Sequence, residues 1–352
     1  MKIVLTGGGT AGHVIPHLAL LNDFKKAFDD IFYIGSKSGM EKEIIKNENI
    51  SYYEVTTVKL NRKLSLSNLF IPFKLIKGIQ EAKKILKKLE PDIIFSKGGF
   101  VSVPVCLAAK KLSIPVVLHE SDMTLGLANK ICARYSQKVL TSFNLTAKTI
   151  KNNKGVYTGA PIRAKLYNGN KQKGLLDIGF SGQRPILLVI GGSSGAVAIN
   201  EVLRKSLGSL QKYDIIHVTG KGNIVEFNIK NYKQIEFLEK IEDVFAAADV
   251  VVSRAGSNAI TEFLALKKPA LLIPLPKASS RGDQILNAEY FKSKNYSLVL
   301  LQKDLNVDTF TNKIFELERK KQVLTSNLER ANCIDGTKNI FNEILASAIA
   351  CK

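Results

Sequence analysis

An apolar run leading straight into a glycine-rich turn occurs four times in this chain, at Gly7-Gly8-Gly9-Thr10-Ala11-Gly12, Lys97-Gly98-Gly99, Gly191-Gly192-Ser193-Ser194-Gly195 and Arg254-Ala255-Gly256-Ser257. Glycine allows a backbone to come close to a ligand, and a helix that begins there turns N–H groups and partial positive charge toward whatever occupies the turn. The chemistry this favours is phosphate binding. Two turns fall in the first half of the chain and two in the second. That distribution points to two similar lobes facing each other across a phosphate-binding cleft rather than to one nucleotide fold with an appendage. Any single turn could serve only a tight strand-to-helix connection.

Other reactive side chains cluster near the turns. His13 follows the first, and His119-Glu120-Ser121-Asp122 close a later apolar run, where open α/β sheets bind ligands. Glu262 lies within the helix expected after Gly256, and Asp283-Gln284 follow the loop after Pro276, with surface solvation the plain alternative for each. The first turn matches G-x-G-x-x-G, but the acid that a dinucleotide fold places after its second strand is replaced by Ile34-Gly35-Ser36, so NAD loses its second support. His13 and His17 are four apart, yet there is no HExxH and no third ligand nearby, and no D-x-D triplet offers a divalent-ion clamp. No metal and no cofactor are expected.

The elements that must position these groups alternate short β-rich runs with longer amphipathic segments. Residues 2–6, 31–35, 51–55, 92–96, 115–119 and 137–141 read as strands of one domain, and 185–190, 214–219, 234–238, 249–253, 270–274 and 297–301 as strands of another. This alternation predicts an α/β fold with parallel sheets covered on both faces. The boundary is placed so that residues 1–162 form the first domain, joined by a C-terminal helix over about 337–352, and 163–336 form the second. A chain of 352 residues with 45% apolar residues can bury two cores.

The excess of 51 Lys and Arg over 31 Asp and Glu, a net charge of +20, calls for an anionic partner. No helix-turn-helix, RRM or KH signature accompanies it, so nucleic acid is not expected. The stretch from Arg62 to Lys88 interleaves apolar residues with lysines. It could lie on an anionic bilayer through Phe70, Phe73, Lys74 and Lys77, or pack as a core helix with a solvated basic face. Four scattered cysteines without a CxxC, no signal-like start and no apolar run long enough to span a bilayer predict a cytoplasmic location.

Taken in order, GGGTAGHVIPHLAL, SKGGFVSVPVCLAA, PVVLHESDMTLGLANK, TGAPIR, GGSSGA, SRAGSNAITEF and GDQILNA resemble the MurG family of bacterial glycosyltransferases along nearly the whole chain. The resemblance implies the GT-B architecture, two Rossmann-like doubly wound domains with a cleft between them. It also implies transfer of N-acetylglucosamine from UDP-GlcNAc to an undecaprenyl-diphosphate-linked muramoyl peptide, at the cytoplasmic face of the membrane. By matching position, Ser193 and its turn would hold the donor diphosphate, Leu238 would offer backbone to uracil, Glu262 would bind the ribose, and Asp283 and Gln284 would read the sugar hydroxyls. Arg163, Arg254 and Thr10 are assigned to the donor as well. The acceptor diphosphate would lie on Gly9, Gly12, Gly98 and Gly99, near Asp122, with His13 beside Thr10 as the catalytic group. Ser121-Asp122 stands where many members have Gln-Asn, and Asp283 where some have Gln.

The implied reaction is one inverting displacement at the anomeric carbon, with the departing UDP met by backbone N–H groups, helix dipoles and arginine. Alternatives are another GT-B UDP-sugar enzyme, either a lipid glycosyltransferase or a UDP-GlcNAc epimerase, or a basic nucleic-acid-binding protein.

Overall fold

The computed structural model describes residues 1–58, 71–192, 195–331 and 335–350. It divides into two compact units, Met1–Arg163 with Ile334–Lys352, and Ala164–Cys333. Of the positions singled out above, Ser193 and the 62–70 part of the basic stretch, Phe70 included, lie outside the described residues.

The first unit runs β1 (Lys2–Gly7), α1 (Ile15–Ala27), β2 (Asp30–Ser36), α2 (Met40–Lys46), β3 (Ser51–Val55), α3 (Ile71–Leu89), β4 (Ile93–Gly98), α4 (Ser102–Lys111), β5 (Val116–Glu120), α5 (Leu127–Ala133), β6 (Lys138–Thr141), α6 (Asn144–Lys148) and β7 (Gly155–Tyr157). Among the described residues seven strands form one parallel sheet in the order β3-β2-β1-β4-β5-β6-β7. Its central strands carry apolar runs, Ile3-Val4-Leu5, Ile93-Ile94-Phe95 and Val116-Val117-Leu118, because both faces are covered. Ile3 and Leu5 enter one core layer with Leu20, Phe24 and Phe95, whereas Val4 and Ile94 enter the other with Ala82, Leu86 and Val105.

The second unit contains α7 (Lys171–Ile178), β8 (Ile186–Ile190), α8 (Val197–Ser206), β9 (Asp214–Val218), β10 (Tyr232–Ile235), α9 (Ile241–Ala247), β11 (Val250–Ser253), α10 (Ser257–Ala265), β12 (Ala270–Leu272), α11 (Asp283–Ser293), β13 (Ser297–Val299) and α12 (Val307–Arg330). Its six described strands are parallel in the order β10-β9-β8-β11-β12-β13. A final helix, α13 (Gly336–Ile349), belongs to the first unit. There Ile340, Ile344 and Ala348 join the core layer of Leu20 and Phe24, and Lys138 pairs with Glu343 at 2.6 Å.

Strand order reverses between β1 and β4 in the first unit and between β8 and β11 in the second. Open parallel sheets bind ligands at such switch points, beyond the carboxyl ends of the strands. All four glycine turns leave these four strands.

Strand β7, a three-residue edge strand with no fully buried residue, is not among the runs expected from the sequence, and β10 ends at Ile235 rather than at Leu238. Helix α3 turns Gly78, Ala82, Leu86 and Leu89 inward. A Cβ on Gly78 would come within 2.1 Å of the Thr56 carbonyl oxygen, so only glycine permits that approach. On the same helix Phe73 is 72% exposed and Ile76 54%, with Lys74 and Lys77 also at the surface.

Candidate functional site

In the first unit the two glycine turns are pressed together. The Gly8 N–H donates to the Gly98 carbonyl at 3.4 Å. A Cβ on Gly99, which has φ +80°, would meet the Gly8 carbonyl oxygen at 2.2 Å and His13 Nδ1 at 3.1 Å. His13 closes a short 3-10 turn, Ala11–His13, and its Nδ1 lies 2.9 Å from Thr10 Oγ1. Gly12 is in the same turn and is exposed. Gly9, Thr10, Gly12, His13, Gly98 and Gly99 are thus gathered at the β1–β4 switch point.

Two findings narrow the sequence expectations there. The Gly9 N–H donates to the Glu41 carboxylate at 3.3 Å, so it is engaged within the protein. Glu41 is fully buried at the start of α2 and also accepts from the Ser36 N–H at 3.1 Å and the Ser36 hydroxyl. His17 belongs to α1 rather than to the turn of His13. It sits edge-on to the Tyr33 and Phe95 rings, and neither of its nitrogens meets a hydrogen-bonding partner. Burial, followed by the Lys97 charge, holds its pKa well below the ordinary histidine value. His17 is a core residue, and among the described residues no group of three or more His, Cys, Asp or Glu is placed to hold a metal ion.

Beside the second turn, Lys97 is 2% exposed and its ammonium donates to Ser121 Oγ at 2.8 Å and to His119 Nδ1 at 2.5 Å. The opposite ring nitrogen of His119 donates to the Gly159 carbonyl at 3.0 Å. This fixes the tautomer, since Nδ1 must then carry the lone pair that Lys97 meets. Burial draws Lys97 down to about 7 against the opposing pull of Glu120 and Asp122. Glu120 accepts from the Asp122 and Gly126 N–H groups, each at 3.0 Å, and from Asn129 Nδ2 at 2.9 Å, so the turn bearing Asp122 is held from inside. Burial pushes the Glu120 carboxyl upward. Arg163 is the last residue of this unit's first segment and is half-buried.

In the second unit, Gly191-Gly192 follows β8 and Arg254 follows β11, on either side of the switch point. Arg254 is 9% exposed, and its Nη1 donates to the carbonyls of Ile273 at 3.1 Å and Pro274 at 3.5 Å, anchoring the chain after β12. Burial lowers its pKa. Glu262 lies half-buried within α10, and Leu238 half-buried in irregular chain after β10. At the start of α11, Asp283 pairs with Arg281 Nε at 2.8 Å, while Gln284 Oε1 accepts the Leu275 N–H at 3.0 Å. That bond orients the amide so that its NH2 points away from Leu275. Asn287, fully buried one turn later, ties α11 to the fourth glycine turn through the Ala255 carbonyl at 3.1 Å.

Residues 3–141 match the glycosyltransferase family 28 N-terminal domain and residues 186–344 match the glycosyltransferase family 28 C-terminal domain. A curated relative from Clostridium botulinum (strain Alaska E43 / Type E3) is 50% identical over 351 residues, covering 98% of each chain. The chain belongs to glycosyltransferase family 28. That relative is named as a UDP-N-acetylglucosamine--N-acetylmuramyl-(pentapeptide) pyrophosphoryl-undecaprenol N-acetylglucosamine transferase. Among solved structures, Acinetobacter baumannii MurG superposes with a TM-score of 0.76 at 24% identity, over 98% of this chain and 99% of that one. The glycotransferase of kitacinnamycin gives 0.77 at 13% identity, over 99% of both. These two establish the shared GT-B fold of two Rossmann-like α/β domains. The family 28 domain matches and the placement of the glycine turns agree, because each matched domain contains one switch point and its two turns.

The inward placement of Glu41 and Lys97 leaves no signal in the sequence. A carboxylate that serves the first turn from α2, and a lysine that points inward from a turn, are visible only once the fold joins distant segments.

Proposed function

We propose that this chain transfers N-acetylglucosamine from UDP-GlcNAc to the muramoyl 4-hydroxyl of an undecaprenyl-diphosphate-linked muramoyl peptide, turning lipid I into lipid II in peptidoglycan synthesis. The observation that carries this reading is 50% identity, across 98% of both chains, with a transferase named for that reaction.

The second unit is the donor side. Ser193 is assigned to the UDP diphosphate and the Leu238 backbone to uracil. Glu262 holds the ribose, and Asp283 with Gln284 reads the sugar hydroxyls. Arg254, Arg163 and Thr10 are assigned to the donor as well. The acceptor diphosphate rests against the turns of Gly12, Gly98 and Gly99, with Asp122 at its edge. The Gly9 N–H donates to Glu41, so Gly9 is not counted among the groups that meet the anion.

In the chemical step the acceptor oxygen forms its bond to C1 as the bond from C1 to the UDP oxygen breaks, and the hydroxyl proton passes to His13. If Nδ1–H of His13 donates to Thr10 Oγ1, Nε2 is left with the lone pair a general base needs, which the 2.9 Å spacing supports. Charge growing on UDP is met by N–H groups and helix N-termini that are oriented before reaction. Inversion at C1 follows from a single displacement.

Among the described residues no helix is long and apolar enough to cross a membrane. The enzyme meets its lipid-linked acceptor peripherally, through the exposed Phe73, Lys74, Ile76 and Lys77 on α3 and an anionic membrane surface at the cytoplasmic face. The functional test is UDP release from UDP-GlcNAc with and without a lipid I analogue. Release that depends on the analogue supports transfer. Turnover of UDP-GlcNAc without any acceptor would instead indicate an epimerase.

A further inference from the structure

Lys97 is the penultimate residue of β4, in the interior of a parallel sheet, and it is almost completely buried. Burying an ammonium ion is costly unless its hydrogen bonds are met, and an apolar side chain of similar size would stabilise the fold at least as well. Its direct partners are moreover neutral. The ammonium bonds to His119 Nδ1 and Ser121 Oγ, while the nearby Glu120 carboxylate is committed to two backbone N–H groups and Asn129.

What the ammonium accomplishes is a connection. Through Ser121 it grips the turn that carries Asp122. Through His119 it reaches the Gly159 carbonyl, on the segment that ends at Arg163. Immediately after Lys97 come Gly98 and Gly99, both at positive φ. One buried cation therefore joins three segments that bear candidate substrate contacts. We infer that Lys97 is a positioning residue for acceptor capture, holding the Gly98-Gly99 turn, the Asp122 turn and the Gly159–Arg163 segment in register. This rests on the transferase reading above.

The charged groups around it come from several elements. Glu120 and Asp122 lie at and after the end of β5 and favour the ammonium, whereas His119 on β5 and His17 on α1 are each kept neutral in part by Lys97 itself. His13, from the first glycine turn, acts on His17 in the same sense. With Lys97 drawn to about 7, its charge is present below that pH and lost above it, within the range over which an enzyme is assayed.

The test is steady-state transfer to a lipid I analogue, varying donor and acceptor separately between pH 6 and pH 8.5, for wild type, Lys97→Met and Ser121→Ala. Methionine keeps the length and apolar stem but removes the donors. Losing a hydrogen bond to a charged group corresponds to about tenfold to a hundredfold in binding. Lys97→Met is expected to raise the acceptor KM by that factor and leave the UDP-GlcNAc KM unchanged. In wild type the acceptor KM should climb as pH rises through about 7, and in Lys97→Met it should be high and level. Ser121→Ala, which leaves Lys97 and His119 in place, should raise the acceptor KM alone and by less.

A folded Lys97→Met protein with wild-type acceptor KM and pH dependence overturns the inference, as does an equal loss in both substrates. If Lys97→Met does not fold, Ser121→Ala decides: an acceptor-specific rise supports the inference and an unchanged acceptor KM overturns it. Wild-type protein that makes no transfer product at any pH would overturn the transferase reading instead.

Discussion

Gly99 lies so close to Gly8 that a Cβ on it would meet the Gly8 carbonyl oxygen at 2.2 Å. The obstacle is backbone, and φ of +80° adds strain for any L side chain. Gly99→Ala should therefore cost about 1–3 kcal/mol of stability. In solvent denaturation the midpoint should fall, and acceptor use should fall with it while UDP still binds. Wild-type stability would show that the two turns are not packed as described.

Acid should weaken the fold through its buried imidazoles. His217 donates from Nε2 to Asn200 Oδ1 at 2.9 Å and accepts from the Tyr232 hydroxyl at 2.7 Å, and burial lowers it to about 3. His17 and His119 are likewise held down, first by burial and then by Lys97. Below about pH 6.5 the unfolded chain takes up protons that the folded chain refuses. Stability is thus complete above that pH and is lost as pH falls toward the folded values, by about 2 kcal/mol at pH 5 for His217. His17→Leu removes one such group, and urea titrations at pH 7.5 and pH 5 should show a smaller acid loss than in wild type. An equal loss in both proteins would remove His17 from this account.

How far the sequence revealed this protein depended on whether a feature was local. The β-rich runs at 2–6 and 249–253 announced buried parallel strands because every residue after Lys2 and Asp249 is apolar or small, and the glycine turns that follow them stood out by composition. Strand β7 did not, because three half-buried residues carry no pattern. Arg254 was legible as a positive group following an apolar run, but its bonds reach Ile273 and Pro274, just past β12, which is brought beside β11 only in the fold. Glu41 and Lys97 were hidden for a similar reason. Charged residues are ordinarily exposed, and only the positions of Gly9, Ser36, Ser121 and His119 explain why these two are inside.

His13 provides a kinetic test. As general base its removal should lower kcat by about a hundredfold to ten-thousandfold, with UDP affinity kept. The acidic limb of the pH–rate profile should disappear in His13→Ala. Thr10→Val, which loses the 2.9 Å contact that orients the ring along with the hydroxyl assigned to the donor, should give a smaller loss in kcat and keep the limb. Near-normal kcat with the same limb in His13→Ala would exclude the base role and turn attention to Asp122, since Glu120 is committed to the Asp122 and Gly126 N–H groups and Asn129.

Exposed Phe73 and Ile76 beside Lys74 and Lys77 should bring the protein to anionic vesicles in preference to neutral ones. Each basic residue near such a surface adds about 1 kcal/mol, and salt weakens the attraction. Changing both apolar residues to Ser and both lysines to Glu should abolish cosedimentation without affecting UDP binding. Persistent cosedimentation of that variant would place the contact elsewhere.

The central claim is most directly examined by the product itself. Purified protein incubated with labelled UDP-GlcNAc and a lipid I analogue, followed by mass and anomeric-proton analysis of the lipid fraction, should yield a lipid-linked disaccharide with a β linkage to the muramoyl 4-hydroxyl and one UDP per linkage formed. Label that stays in UDP-sugar or appears as free sugar, with no disaccharide on the lipid, would contradict the account.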